Sequence, residues 1–444
     1  MENSCVNLES LYNMTALLYY KFIESNENDS LSFLRKNLTE IYEKSNECSY
    51  DYCGVEKYFT SINKDIEDNN INIDSDAFFY SDAFKFKCFV FLNLMDNFSS
   101  NSVIKYLQDD GEDSCSSLNT QYTNMIMIFP TYTGVSRYSN TSDRLASFFN
   151  HLVFFCSYPY DMKNYAIDNY YIRNLMPDVK IAFVNFPYKE NFFEKNDGKI
   201  FKEDKKEKLD QADIEYIGCI EDLMERKEVD IIFGPEMHGS EKLNDILYTC
   251  CGQKKFRIIF CPSCHTIKTG KRNNIAKLFI SSSMHIYEKE VIKNYPATIG
   301  NAKKGKYIVE DIEVENKKIV LVHINGIGRI AFLICKDYIN LEIENIVKSL
   351  NVDVFIVQCF TKTLDVFKNK MKNHANLKSC SIIGNSKSAD SIEEFLYCYR
   401  GKDKEPFFVE KKVDGDMKSV CSIYKVKLGV AIENDEQYYY IEEI

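Results

Sequence analysis

The sequence lacks the long apolar run that a membrane-spanning helix requires. Such a helix needs roughly 18 or more consecutive apolar residues, and the richest stretch, Phe148 to Tyr158, is much shorter. The opening residues, MENSCVNLESLYNM, also lack the basic start and apolar centre of a secretory signal. Because no export signal is visible, we expect a cytoplasmic protein whose 16 cysteines remain reduced thiols.

An excess of positive charge is absent as well. The 55 Lys and Arg residues are outnumbered by 66 Asp and Glu residues, which gives a formal net charge of −11. Nucleic acids and anionic membranes are bound through clustered basic residues. The composition therefore indicates no membrane partner and no direct nucleic-acid footprint. No internal repeat is present, and 444 residues are enough for two domains.

Residues 1–175 are predicted to form a mostly helical region of unknown role. Nothing in this part has the spacing of a catalytic or metal site. The short segment Met125 to Pro130 is interpreted as a strand. Four other segments are interpreted as helices from their apolar residues: Leu8 to Glu24, Ser30 to Lys44, Thr141 to Ser157 and Asn164 to Met176.

Residues 176–444 have a different sequence pattern, in which short apolar runs alternate with polar segments. Leu209 to Arg226 is amphipathic and predicts a helix. Segments 188–208, 240–251 and 364–373 are expected to be the loops that shape a pocket, and they carry no diagnostic chemistry. The predicted helix and the strands listed next together predict an α/β fold. The predicted strands are Val179 to Phe186, Val229 to Gly234, Phe256 to Phe260, Ala276 to Ile280, His285 to Ile292, Ile319 to Ile324, Arg329 to Ile334, Val352 to Val357 and Ser379 to Ile383.

The stretch from Gly328 to Phe360 is read as a strand, a turn, a helix and a second strand, which together make a βαβ unit. Cys335 falls between the carboxyl end of the first strand and the start of the Ile339 to Leu350 helix. Backbone N–H groups and the helix dipole at such a place stabilise a thiolate and a nearby oxyanion. Cys335 is therefore a candidate nucleophile, with a buried structural cysteine as the alternative.

Charged residues follow other predicted strands. Glu236 in VDIIFGPEMHG follows a buried strand, where a carboxylate can act as an acid or a base. Lys293 in HIYEKEVIKNYPAT can supply positive charge to a thiolate or an oxyanion, and Lys289 in the same strand competes for that role. Glu310 in YIVEDIEV is a further acid before the Cys335 strand. Taken alone, Glu236 and Lys293 are each better interpreted as solvent-facing side chains.

The conjunction of these segments resembles the nitrilase superfamily of carbon–nitrogen hydrolases, over about residues 177–390 with an extension to the C-terminus left open. VKIAFVNF resembles the opening strand of that family, VDIIFGPEMHG the segment with the glutamate base, and GRIAFLICKDY the segment with the cysteine nucleophile. The lysine segment departs from the family's aromatic-x-Lys-x-x-Leu pattern. Lys293 is chosen because it lies nearer Cys335 in the chain, with Lys289 close behind.

This resemblance implies a nitrilase-like α-β-β-α sandwich after the helical region, over residues 176–444. It implies that Glu236 is the base, Cys335 the nucleophile, and Lys293 the oxyanion partner together with the backbone N–H of Lys336. Glu310 would orient Lys293. The implied activity is that of a thiol-dependent hydrolase or amidotransferase, which acts on a non-peptide carbon–nitrogen bond of an amide or nitrile through a covalent acyl-enzyme.

Self-association into a homo-oligomer is also implied by the family resemblance. The alternative is a nitrilase-fold binding or sensing module with little turnover, accessory to a defence-type reverse transcriptase and acting through that partner. The departure in the lysine segment and the large N-terminal region favour this alternative. The chain has no recognisable polymerase motif of its own.

Two metal-centred interpretations of the cysteines fit less well. Cys261, Cys264 and His265 match the CxxCH motif of haem attachment, a chemistry that needs export. Cys250 and Cys251 could join Cys261 and Cys264 in a zinc site, but an adjacent pair lacks the usual two-residue gap. We therefore predict neither a cofactor nor a metal.

Overall fold

The structure of the chain is a computed structural model. The helices are α1 Leu8–Glu24, α2 Glu27–Asn46, α3 Tyr52–Asp68, α4 Asp82–Asp109, α5 Gln211–Arg226, α6 Glu241–Cys251, α7 Lys336–Ile339, α8 Leu341–Ser349 and α9 Asp365–Asn376. The residues described are 8–24, 27–48, 52–72, 78–79, 81–109, 115–117, 126–130, 152–156, 165–172, 178–185, 194–196, 199–201, 209, 211–226, 229–252, 257–268, 270–281, 286–301, 306–314, 317–324, 328–349, 352–361, 365–376, 380–386, 392–399, 406–413, 421–430 and 437–443.

The strands begin at residue 115 and continue to residue 443. They are β1 Cys115–Ser117, β2 Ile126–Pro130, β3 Leu152–Cys156, β4 Tyr165–Ile172, β5 Asp178–Val184, β6 Glu194–Asn196, β7 Lys199–Phe201, β8 Ile231–Phe233, β9 Arg257–Phe260, β10 Cys264–Lys268, β11 Lys271–Ser281, β12 Ile286–Ile292, β13 Thr298–Asn301, β14 Lys306–Glu310, β15 Lys317–Ile324, β16 Gly328–Ile334, β17 Val354–Cys359, β18 Cys380–Ser386, β19 Ile392–Tyr399, β20 Pro406–Val413, β21 Cys421–Val430 and β22 Gln437–Glu443.

The chain divides into two compact units. The first comprises residues 1–109 and 119–161, and the second comprises residues 110–118 and 162–444. Among the described residues, no helix is long and apolar enough to cross a membrane. The combination of helices with extended sheets makes the fold α/β, as the sequence predicts.

The first unit has an apolar core between the four helices that the structure describes there. Helix α4 is buried on every side from Cys88 to Leu92, as expected for a central helix. Phe22 of α1 stacks on Phe89 of α4 with ring centroids 3.9 Å apart, and on Phe79 at 4.1 Å. Contacts of α4 with α1, α2 and α3 complete this core.

Two predicted helices prove to be strands where the structure describes them. Leu152–Cys156, inside the segment Thr141 to Ser157, is strand β3 and pairs with β2. Tyr165–Ile172, inside the segment Asn164 to Met176, is strand β4 and pairs in parallel with β15. Residues 141–151, 157, 164 and 173–176 lie outside the described residues. Pairing with a distant strand decided the structure of β4, and that pairing is invisible in local spacing.

The second unit contains two large sheets. One has the order β1-β4-β15-β16-β17-β18-β19-β20, and the other has the order β10-β11-β9-β8-β5-β21-β22 with β12 paired to β11. All nine strands predicted after residue 176 are confirmed, as β5, β8, β9, β11, β12 and β15 to β18, and the predicted helix is confirmed as α5. Two expected loops are wrong, because 241–251 is helix α6 and 365–376 is helix α9. The expected loop 188–208 contains strands β6 and β7.

The two large sheets contact each other through buried side chains. The rings of Phe260 on β9 and Phe332 on β16 meet edge to face, with centroids 5.2 Å apart. Gln358 on β17 donates from Nε2 to the backbone oxygen of Cys261 at 2.7 Å. Helices α5 and α6 pack on the β5-β8-β9-β11 part of one sheet, while α7 and α9 contact β16 and β18 of the other.

Candidate active site

Cys335 occupies the sharp turn between β16 and helix α7. Its backbone has φ 46° and ψ −104°, a conformation that is costly for a residue with a side chain and is often retained at functional sites. The turn is held because the N–H of Cys335 donates to the Gln358 oxygen at 2.7 Å and its oxygen accepts from the Tyr338 N–H at 3.1 Å. The predicted placement of Cys335 between a strand and a helix is confirmed, and the residue is buried.

Glu236 lies in the turn that follows β8. The next residue, Met237, has φ 69°, and its N–H donates to Ser263 Oγ at 3.2 Å. The Gly239 N–H donates to the Ser263 oxygen at 2.9 Å, and a Cβ on Gly239 would lie 2.1 Å from the Pro262 oxygen. The close approach that this glycine permits locks the Glu236 turn against the segment after β9.

Lys293 joins the two predicted glutamates. Its Nζ lies 2.6 Å from Oε1 of Glu236 and 2.5 Å from Oε2 of Glu310. The three side chains are almost completely enclosed, with exposed fractions of 0% for Lys293 and 1% for each glutamate. The structure thus brings together three residues that come from three different strand ends.

Three further groups complete the polar cluster around Glu310, and sequence reasoning missed them. Asn274 donates from Nδ2 to Glu236 Oε1 at 3.1 Å and to Glu310 Oε1 at 2.9 Å. His265 Nε2 lies 3.1 Å from Glu310 Oε1, and the Ala297 N–H donates to Glu310 Oε2 at 2.8 Å. His265 and Asn274 face each other across the β10–β11 pair. Both are polar residues on the buried face of a hairpin, where a polar side chain needs a hydrogen-bond partner, and this could have identified them from the sequence.

Asp337 connects the turn after Cys335 to the turn that carries Lys293. Its carboxylate accepts from the Asn294 N–H at 2.8 Å, from Asn294 Nδ2 at 2.9 Å and from the Tyr295 N–H at 3.0 Å. Burial raises the pKa of Asp337 to about 7 despite these hydrogen bonds. The elements that carry the thiol and the ammonium are therefore held in fixed register with each other.

The ion cluster shifts the pKa of its members in opposite directions. Burial lowers the pKa of Lys293, but the neighbouring Glu236 and Glu310 carboxylates outweigh it and raise that pKa well above its usual value. For Glu310, burial raises the pKa, but the charge of Lys293 and the His265 hydrogen bond bring it down to about 2. Glu310 is therefore an acceptor at neutral pH, and His265 Nε2 must carry the proton that it donates.

The pKa values of Cys335 and Glu236 are shifted toward each other. A hydrogen bond from the Cys359 thiol lowers the pKa of Cys335, burial opposes this, and the charge of Lys293 helps to bring it to about 6. Burial and the neighbouring Cys335 charge raise the pKa of Glu236 well above its usual value. An activated thiol, a carboxyl able to hold a proton and an ammonium are the groups that nucleophilic catalysis requires.

Other candidate residues face elsewhere. Lys289 Nζ lies over the ring of Tyr170, 4.9 Å from its centroid, so the lysine that meets Glu236 is Lys293. His238 Nδ1 lies 2.8 Å from the backbone oxygen of Glu236. Within the described part of the chain, no group of three or more His, Cys, Asp or Glu side chains could hold a metal ion.

Comparison with known proteins gives matches only among solved structures. No protein-family model matches the sequence, and no curated protein matches it. Glutamine-dependent NAD+ synthetase from Acinetobacter baumannii, in complex with ADP, is similar with a TM-score of 0.40 and 12% identity over 59% of this chain and 47% of the synthetase. This chain thus spans about half of the length of that protein.

The amidase of Nesterenkonia sp. AN1 is also similar to this chain. A double mutant of it in complex with acrylamide matches with a TM-score of 0.39 and 10% identity, over 56% of this chain and 92% of the amidase. A single mutant, described as an amidase from the nitrilase superfamily, matches with a TM-score of 0.38 and 8% identity, over 55% of this chain and 90% of the amidase.

Proposed function

We propose that the protein is a thiol-dependent hydrolase or amidotransferase that acts on a non-peptide carbon–nitrogen bond of a small amide or nitrile. The observation that carries this proposal is the buried Lys293 ammonium between Glu236 and Glu310, whose charge helps to lower the pKa of the Cys335 thiol. The sequence resemblance to the nitrilase superfamily supports the same assignment. The two contacting sheets with helices packed on them fit the α-β-β-α sandwich that this resemblance implies.

The chemistry begins at Cys335. Glu236 takes the thiol proton, and the sulfur attacks the carbonyl or nitrile carbon of the substrate. For an amide, Lys293 and the backbone N–H of Lys336 stabilise the oxyanion of the tetrahedral intermediate, and Glu310 orients Lys293. Ammonia or an amine leaves with the proton from Glu236, and a thioester remains on Cys335. Glu236 then deprotonates water, or another acceptor, which attacks the thioester and frees the sulfur.

The proposal also includes a cytoplasmic location and self-association. The 11 cysteines whose side chains the structure describes are free thiols, as a reducing compartment would maintain them. A homo-oligomer is proposed from the resemblance alone. Size-exclusion chromatography with light scattering tests it, and a monomer at micromolar concentration would contradict it.

A second candidate is a binding or sensing module that keeps the site but turns over little. The near-complete burial of the Lys293 cluster favours it, because a substrate must displace well-packed groups to reach the sulfur. Such a module would act with a partner, and we retain a defence-type reverse transcriptase as that partner. Unlike an enzyme, the module would form no covalent adduct on Cys335 with any amide.

Ammonia release from a panel of short aliphatic and aromatic amides and nitriles tests the enzymatic proposal. Replacement of Cys335→Ala should lower release by at least about a thousand-fold, as loss of a nucleophile does in other enzymes. The control is Cys380→Ala, a buried cysteine that pairs with Val354 at the other end of β17. Intact-mass spectrometry should show an acyl adduct on the wild-type protein. Undiminished release from the Cys335→Ala variant would remove the thiol from the mechanism.

A further inference from the structure

A second thiol lies beside the Cys335 sulfur. Cys359 ends strand β17, the parallel neighbour of β16, and the last paired residues of these strands are Ile334 and Gln358. Cys335 and Cys359 therefore follow the same rung of the ladder, where the Cys335 N–H donates to the Gln358 oxygen at 2.7 Å. Both side chains are buried, with exposed fractions of 5% and 0%.

The register of β16 and β17 places the two thiols side by side. The side-chain interaction with Cys359 lowers the pKa of Cys335 to about 6, while burial and this same interaction raise the pKa of Cys359 well above its usual value. Adjacent strands lie about 4.8 Å apart, within the roughly 4.4–6.8 Å between Cα atoms that a disulfide joins. The pair thus combines one reactive thiolate with one protonated thiol that is positioned to attack it once it is oxidised.

We propose that Cys335 and Cys359 form a redox modification site, in which a peroxide converts the two thiols into a reversible disulfide. The Cys335 thiolate attacks a peroxide oxygen, so that an S–O bond forms, the O–O bond breaks and one water leaves after protonation. Cys359 then attacks the Cys335 sulfur, the S–S bond forms, and the S–O bond breaks with release of a second water. Hydrogen peroxide is thus reduced to two waters, and the two thiols are oxidised to one disulfide.

The disulfide would both prevent Cys335 from reacting with a substrate and protect it from further oxidation. The blocked sulfur can attack no substrate, and it cannot be oxidised further to the sulfinic acid, which thiols do not reverse. This inference goes beyond the proposed hydrolysis and does not require it, because the chemistry involves only the protein and a peroxide.

Peptide mapping of the full-length protein tests the site without any substrate. The protein is treated with hydrogen peroxide, its free thiols are alkylated, and the digest is analysed before and after dithiothreitol. We expect a Cys335–Cys359 cross-linked peptide that disappears on reduction as alkylatable Cys335 returns. Oxidation of Cys335 to sulfinic acid without this cross-link, or its cross-linking to another cysteine, would overturn the proposal.

The matched variants are Cys359→Ser and Cys380→Ala. Serine still donates a hydrogen bond but cannot form a disulfide, so excess peroxide should oxidise Cys335 through the reducible sulfenic acid to the sulfinic acid, a loss that dithiothreitol does not recover. Cys380→Ala should behave as the wild type, since that cysteine begins β18 and pairs with Val354, at the opposite end of β17 from Cys359. Equal recovery of Cys335 in Cys359→Ser and wild type would contradict the proposal. The wild-type map remains decisive if a variant fails to fold.

The two proposals fail separately. A protein that forms the cross-link but releases ammonia from no amide retains this modification site and loses the proposed activity. A protein that hydrolyses an amide through Cys335 but forms no cross-link retains the activity and loses the modification site.

Discussion

The charge balance of the site depends on Lys293. Its ammonium is the cation that lies within 2.6 Å of both Glu236 and Glu310, and all three side chains are enclosed. Taking a charge out of water costs several kcal/mol, and only close ionic partners offset that cost. Removal of Lys293 therefore leaves two carboxylates in a buried place with Asn274 and His265 as their neighbours.

The first prediction compares the two lysines of the β12 segment. Lys293→Met should lower the free energy of unfolding by about 3–5 kcal/mol, the range for breaking a buried ion pair. Lys289→Met should lower it by no more than ~1 kcal/mol, because it loses a partly exposed cation–π contact with Tyr170. Urea denaturation at neutral pH measures both. Equal losses would mean that Lys293 is not the counterion of the cluster.

The second prediction concerns the pH dependence of Cys335 alkylation by iodoacetamide. The thiolate is the reactive form, so the rate should rise as the pH increases through about 6 and reach a plateau above it. An ordinary thiol would reach half of its plateau at about pH 8.5. Lys293→Met should move the midpoint upward, since it removes a positive charge that favours the thiolate.

Quantitative peptide mapping separates Cys335 from the other fifteen cysteines. The exposed Cys53 provides a solvent-facing thiol for comparison in the same sample. A Cys335 profile that coincides with that of Cys53 would contradict an activated thiolate at this position.

Part of the site could be predicted from single residues. Glu236 and Cys335 were recognisable because each follows a buried apolar strand, where sites of α/β proteins lie. Lys289 and Lys293 are four residues apart, so strand alternation gives both the same face. Only the packing after the end of β12 directs Lys293 to Glu236. The catalytic roles of these residues stay predictions.

At the scale of elements, the close contact of the two large sheets depends on a residue with no side chain. A Cβ on Gly384 of β18 would lie 2.2 Å from the ring of Phe183 on β5. Phe183 in turn packs against Phe233 of β8, with ring centroids 5.0 Å apart. The space between the sheets at Gly384 is thus too narrow for a larger side chain.

The third prediction follows from this contact. Gly384→Ala should destabilise the protein by about 1–3 kcal/mol, because the extra methyl group overpacks the sheet interface. The matched change is Gly218→Ala in helix α5, where no heavy atom of the described residues lies within 4 Å of the added Cβ. There alanine should stabilise by up to about 1 kcal/mol through helix propensity.

Thermal unfolding of the two alanine variants compares their effects directly. The melting temperature should fall for Gly384→Ala and stay or rise for Gly218→Ala. Destabilisation by both would indicate that added volume in the sheet interface is not the cause.

The helices and strands could be predicted where neighbouring residues in the sequence carry the pattern. Nine strands after residue 176 appear as apolar runs, whereas β4 was interpreted as a helix because its partner β15 lies some 150 residues away along the chain. Helix α6 was missed although Leu243, Leu247, Cys250 and Cys251 are buried at helical spacing. Ser240 caps it by accepting from the Leu243 N–H at 3.1 Å, which was also readable from the sequence.

At the scale of the whole molecule, each of the two units has a core of its own. The first unit, called the helical unit here after α1 to α4, buries Phe22, Phe89 and their neighbours from these helices. The second unit contains all the residues of the candidate site, from Glu236 to Cys359. Units with separate cores are expected to unfold in separate transitions.

The fourth prediction tests this independence. Phe22→Ala should destabilise the helical unit by about 3–5 kcal/mol, the usual cost of removing a buried phenylalanine, because the ring stacks on both Phe79 and Phe89. The control Tyr42→Ala removes an aromatic side chain of the same unit that is 38% exposed, and it should cost clearly less. Calorimetry should show one transition lowered and the other unchanged in Phe22→Ala.

Alkylation of Cys335 reports on the second unit in the same variants. If the site is supported by its own unit, the alkylation rate and its midpoint near pH 6 should be the same in wild type, Phe22→Ala and Tyr42→Ala at temperatures below the first transition. A rate that changes in Phe22→Ala in proportion to the lost stability would show instead that the helical core supports the Cys335 turn. The site would then belong to the whole chain and not to the second unit alone.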